Sequence, residues 1–120
     1  MPSVTITISD KTQPAQSLAT LIGKGNQSGY TMAAYSTGIP FRVGDKVSYL
    51  SIQGSKGNSS GIIYVGDENT ANDGTNQGQE LGAGDVVIHQ GSSYGSVHLG
   101  EIYVRGNTNS NKFSVEWHYD

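Results

Sequence analysis

Val4-Thr5-Ile6-Thr7-Ile8-Ser9 alternates an aliphatic residue with a hydroxyl residue over six positions. Successive side chains of a strand point to opposite faces, so this period of two predicts a β-strand with one buried face. The pattern returns at the other end of the chain. There Phe113, Val115, Trp117 and Tyr119 share one face, while Ser114, Glu116 and His118 share the other. With 17 glycines among 120 residues and no long helical period, the chain reads as all-β with many turns.

The segments between these two strands follow the same logic. Tyr30 to Tyr35, Lys46 to Gln53 and Ile62-Ile63-Tyr64-Val65 are further strands, the last apolar enough to be buried on both faces near the middle of a sheet. Turns are expected at Gly38-Ile39-Pro40 and Val43-Gly44-Asp45. Pro14 to Ile22 fits two readings, a short helix through Leu18, Leu21 and Ile22 stopped by Gly23, or a strand. Asp67 to Glu80 has no large apolar residue and is expected to run over the surface. Two more strand pairs are expected: Asp85 to His89 with Ser96 to Leu99, and Glu101 to Arg105 with Lys112 to Tyr119. Ile63-Tyr64-Val65-Gly66 is echoed by Ile102-Tyr103-Val104-Arg105-Gly106, which reads as two comparable strands rather than a repeat array. About eight short strands without βαβ spacing predict a two-sheet antiparallel β-sandwich, with a jelly roll the best fit by strand count.

One hundred and twenty residues fit a single domain spanning residues 1–120, since domains of about 100 to 150 residues are the commonest. Seven basic against ten acidic residues give a formal charge of −3, which argues against a nucleic-acid partner. No apolar run approaches the roughly 18 residues of a membrane-spanning helix, and no leader pattern opens the chain, so synthesis in the cytoplasm is expected, and no membrane partner. No cysteine is present, which excludes disulfides and thiol catalysis.

Each candidate chemistry has a plainer reading. His89, His98 and His118 lack the spacing of a metal site, and solvent-facing strand histidines are the simpler account. Asp67-Glu68-Asn69 and Asn72-Asp73-Gly74 offer oxygen ligands but depart from the calcium-loop pattern, so a turn-rich solvated loop is expected. No Gly-x-Ser-x-Gly or phosphate-loop motif occurs. The reading is therefore of a non-enzyme without metal or cofactor. Among seven tyrosines, Tyr30, Tyr35 and Tyr94 are the candidates for an exposed ligand platform, because amphipathic rings suit sugars and protein interfaces equally. Tyr64, Tyr103, Trp117 and Tyr119 are expected to fill or rim the core.

From about Val43 to Tyr119 the order of elements resembles a family of small bacteriophage virion proteins of the capsid-decoration, or cement, type. The residues that carry the resemblance are Val47-Ser48-Tyr49-Leu50-Ser51-Ile52-Gln53, Gly61-Ile62-Ile63-Tyr64-Val65-Gly66-Asp67, Gly78-Gln79-Glu80-Leu81-Gly82-Ala83-Gly84-Asp85, Val97 to Gly106, and Phe113-Ser114-Val115-Glu116-Trp117. The resemblance implies a jelly-roll homotrimer at capsid three-fold axes, with the major capsid protein as partner and the outer capsid surface of the virion as location. It also implies that the N-terminal segment, residues 1–29, touches the shell or a neighbouring subunit, with Val4, Ile6 and Ile8 as contact candidates. Similar sandwiches occur in phage tails, baseplates and head fibres, so a carbohydrate- or receptor-binding module is the alternative expectation.

Overall fold

The computed structural model describes residues 3–32, 46–75, 77–91 and 97–119. The alternation at the N-terminus forms β1 (Ser3–Ile8), with Val4, Ile6 and Ile8 buried and the hydroxyl residues on the other face. Then come β2 (Gln16–Ser17), α1 (Leu18–Lys24), β3 (Tyr30–Met32), β4 (Lys46–Gly54), β5 (Ile63–Gly66), β6 (Gln77–Leu81), β7 (Val86–Gln90) and β8 (Val97–His98). A 3-10 turn (Leu99–Glu101), β9 (Tyr103–Gly106) and β10 (Lys112–Tyr119) complete the described elements.

All pairings are antiparallel, in two sheets. One runs β3-β1-β10-β4-β7, with β8 also on β4, and the other runs β2-β9-β5-β6. The pairing is nested: β1 with β10, β2 with β9, β4 with β7 and β5 with β6. A long hairpin rolled over so that its arms fall alternately in two sheets has this order, and it is the jelly roll expected from strand count. β3 and β8 are short additions to it.

One apolar core joins the sheets. Phe113, Val115 and Trp117 of β10 and Leu50 and Ile52 of β4 pack with Ile63, Val65 and Val104 of the other sheet, all within 3% of complete burial. The echo noted in the sequence is a neighbour relation, because Val65 of β5 lies opposite Val104 of β9. Pro14 to Ile22 combines the two readings, strand at Gln16–Ser17 and helix from Leu18, but Gly23, the expected stop, lies inside α1. Ser17 ends β2 and caps α1, its Oγ accepting from the Thr20 N–H at 3.1 Å. Leu18, Leu21 and Ile22 enter the core, and Gly25, at φ 78°, ends the helix with its N–H on the Leu21 carbonyl.

The two expected C-terminal strand pairs do not form. β7 and β8 lie one after the other along β4, at Tyr49–Gln53 and Lys46–Val47, and β9 and β10 belong to different sheets. Glycine- and asparagine-rich sequence suits a corner between sheets as well as a hairpin, so local turn chemistry does not distinguish them. At the β9–β10 corner, Asn107 Oδ1 accepts from the Ile62 N–H at 2.8 Å and Asn111 Nδ2 donates to the Ser60 carbonyl. The expected turns at 38–40 and 43–45 lie outside the described residues.

Candidate functional site

Val4, Ile6 and Ile8, the expected shell or subunit contacts, are 3%, 0% and 1% exposed. β1 sits between β3 and β10, so its aliphatic side chains fill the core and cannot reach a partner. The N-terminal segment is a structural part of the sandwich, and what β1 offers outward is Ser3, Thr5 and Thr7. Tyr30 is likewise no platform. It is 2% exposed, and its hydroxyl lies 2.9 Å from the Pro14 carbonyl and 3.1 Å from that of Val104. Burial pushes its phenol well above the ordinary value. Tyr35 and Tyr94 lie outside the described residues.

The polar loop after β5 covers the outer face of the second sheet. Tyr64, opposite Glu80 and Arg105, is buried there, its hydroxyl accepting from Asn107 Nδ2 at 3.2 Å. Arg105 fastens the loop, donating to the Thr70 carbonyl and to that of Thr12 at 3.5 and 3.4 Å. The carboxylates of this loop are engaged locally, in the turns expected of it. Asp73 Oδ1 accepts from the Thr75 hydroxyl and N–H, which hold its carboxyl below the usual range, and Asp67 Oδ1 accepts from the Asn69 N–H.

Glu101 stands between two open clefts. One, of about 320 Å³, is lined by His89, Gln90, Val97, His98, Glu101 and Ile102; the other, of about 290 Å³, by Asp67, Glu68, Gly100, Glu101 and Tyr103. His89 lies across from the buried Leu50, and its Nε2 is shielded from solvent without a hydrogen-bond partner among the described residues. Desolvation lowers its pKa, so the imidazole is held neutral. His118 is on the outer face of the first sheet, its ring edge-on to Tyr49 at 6.1 Å. Thus two of the three histidines share a cleft and the third does not join them. Among the described residues no group of three histidine or carboxylate side chains is placed to hold a metal ion.

The remaining feature is an edge that sequence reading did not single out. Val86 and Ile88 of β7 are 49% and 55% exposed, the large hydrophobics exposed among the described residues. The Gly54 N–H meets the Asp85 carbonyl at 2.9 Å and the Gly91 N–H meets the Ser48 carbonyl at 2.8 Å. Hydrogen-bonded pairs alternate along an antiparallel ladder, so residues 85, 87, 89 and 91 turn their backbone toward β4. Val86, Ile88 and Gln90 therefore turn theirs to the open side. β7 thus combines a backbone edge without partners among the described residues with uncharged, partly apolar side chains. The other edges are guarded: β2 has two residues, β3 three, and β6 carries Gly78 and Glu80 beside a register shift.

The chain matches no family model, no curated protein and no solved structure.

Proposed function

We propose that this chain is a structural protein of a bacteriophage virion, a decoration or cement protein that binds the outer capsid surface and stabilises contacts between capsomers. The observation that carries this reading is the open edge at β7. Soluble domains normally blunt a sheet edge with charge, proline or a bulge, and an unguarded apolar edge marks a surface that meets another chain. The jelly-roll order adds support by analogy of fold, since capsid proteins use it, as do lectins. In this reading the major capsid protein is the partner, and the rigid sandwich acts by binding alone. Several copies joined together would convert later contacts into intramolecular ones at high effective concentration; the resemblance puts the number at three.

The test is the particle. Virions of the phage that encodes the chain are purified and analysed by mass spectrometry and cryo-electron microscopy, and capsids lacking the chain are incubated with the purified protein. Stoichiometric copies on the outer surface, and capsids that survive heating better once the protein is added, are the expected results. Virions without the chain overturn the reading.

A second reading, a carbohydrate- or receptor-binding module of a tail, baseplate or head fibre, is favoured by one observation. The cleft lined by Asp67, Glu68 and Glu101 also has Tyr103 on its wall, and carboxylates beside an aromatic ring suit sugar hydroxyls. Glycan-array binding that Tyr103→Ala abolishes would select this reading over the first.

A further inference from the structure

We propose that β7 is the seam between two copies of this chain, paired antiparallel about a two-fold axis at Ile88. The inference rests on the reading of β7 as the contact edge of a decoration protein and names a second copy as its occupant, so that the capsid is met by another face of the joined pair. It replaces the three-fold arrangement implied by the resemblance with an isologous dimer.

Backbone parity makes the strand self-complementary. With Ile88 opposite the partner's Ile88, Val86 falls opposite the partner's Gln90 and Gln90 opposite the partner's Val86. These are the residues whose N–H and C=O groups face the open side, so each facing pair can exchange both backbone hydrogen bonds. The same register brings the two exposed isoleucine side chains together on one face, beside Val86 of each copy.

Charge favours a second copy at this place. Two chains of formal charge −3 repel, so they are best joined where neither carries charge. β7 has no ionised side chain, with His89 held neutral, and the residues beside it on the outer face of β4 are Tyr49, Ser51 and Gln53. Glu116, in the Ile88–Ser51 row, lies one strand further in. It would be five strand spacings, about 24 Å, from the partner's Glu116, well beyond the screening length of about 8 Å at physiological salt. Asp85, at the entry to β7, would face the partner's Gly91 rather than another acid.

Closure also favours two copies. A ring built head to tail needs a second open edge; among the described residues β2 and β3 are only two and three residues long, and β6, though five residues long like β7, is broken by a register shift and carries Gly78 and the acidic Glu80. A seam of five residues is smaller than the roughly 1,200 Å² of a standard stable interface, so the dimer should depend on concentration.

The absence of native cysteine makes the register directly testable. Ile88→Cys puts the two thiols on facing residues about 5.5 Å apart between Cα atoms, within disulfide reach. Val86→Cys puts them roughly 14 Å apart along the seam, beyond that reach. Under mild oxidation the Ile88→Cys protein is expected to form a covalent dimer at tens of micromolar, Val86→Cys to stay uncoupled, and a mixture of Val86→Cys with Gln90→Cys to cross-link. Equal cross-linking of both single variants, or of neither, overturns the seam.

Light scattering provides a second readout. The native chain should pass from monomer to dimer with concentration, and Ile88→Lys should stay monomeric with an unchanged melting temperature. A native trimer, or an Ile88→Lys protein with unaltered mass, overturns the proposal. Virion binding separates this failure from that of the decoration reading: a strict monomer that still decorates capsids sinks the seam alone, and a dimer absent from virions sinks only the decoration.

Discussion

A side chain on Gly106 would compete with Ile8 for the same space: the position of its Cβ lies 2.8 Å from Ile8 Cγ1. This is where the end of β9 approaches the last residue of β1 in the opposite sheet, so the spacing of the sandwich there depends on a missing methyl group. Gly106→Ala is expected to destabilise the fold by about 1–3 kcal/mol through overpacking. Ile8→Val, which removes a methyl group from the contact, should recover part of that loss in the double variant. Urea titration of the two single variants and the double variant measures the coupling, and strict additivity would show that the contact does not limit packing.

Asn58 takes the place of a strand residue. Its Nδ2 donates to the Lys112 carbonyl and its Oδ1 accepts from the Lys112 N–H, both at 2.9 Å, with the side chain 8% exposed. Asn58→Ala leaves the Lys112 N–H at the start of β10 without this partner, while the Lys112 carbonyl keeps the Ser55 N–H at 3.0 Å, and should cost about 1–3 kcal/mol, read as a lower denaturation midpoint. Asn58→Asp loses the donor while keeping the acceptor and should also destabilise.

Tyr30 sets an alkaline limit. Its folded phenol holds its proton above the ordinary value of 10, so above that pH the unfolded chain ionises first. The stability contributed by this group is complete below pH 10 and is lost as pH rises beyond it. Tyr30→Phe should flatten this slope, at a cost of about 1–2 kcal/mol near neutrality for the lost hydroxyl bond. Denaturation midpoints between pH 8 and 11 distinguish the two proteins, and identical slopes would count against the assignment.

His89 sets an acid limit. Its pKa is lowered from the ordinary 6.5 by burial, so below that pH the unfolded chain takes up a proton that the folded imidazole resists. Its contribution is present above pH 6.5 and is lost as pH falls toward the depressed value. Asp10 and Asp73, both held below the usual carboxylate range by threonine hydrogen bonds, lose their contributions only at lower pH, near and below 3.8. His89→Gln should remove the step below pH 6.5 in a thermal-melt series and leave the more acidic one.

Much of the fold was legible in particular residues. Period-two alternation placed Val4, Ile6 and Ile8 on one face of a strand and Phe113, Val115 and Trp117 on one face of another, and all six are buried. Of the β-branched and aromatic run Ile62-Ile63-Tyr64-Val65, expected to be central and covered on both faces, Ile63, Tyr64 and Val65 are so, while Ile62 precedes the strand and is half-buried. Less was legible of function. A buried alternating strand and a strand that docks on a partner look alike in one dimension, which is why Val4, Ile6 and Ile8 read as candidate contacts. Tyr30 read as a platform because its ring is amphipathic, and only its place beneath the Pro14 and Val104 carbonyls shows that its polar tip is occupied internally.

Local chemistry alone determined the all-β class, the inward face of most strands and the positions of many turns, because side-chain alternation and glycine placement act over a few residues. Pairing was decided by the tertiary structure. Thr5 and Ser114, 109 positions apart, touch across β1 and β10, while the neighbouring strands β9 and β10 part into different sheets. Nothing in Val86-Val87-Ile88-His89-Gln90 marks it as an edge. Its apolar residues are exposed because β4 covers one side of β7 and no described strand covers the other, and long-range pairing, unlike alternation, depends on the whole chain at once.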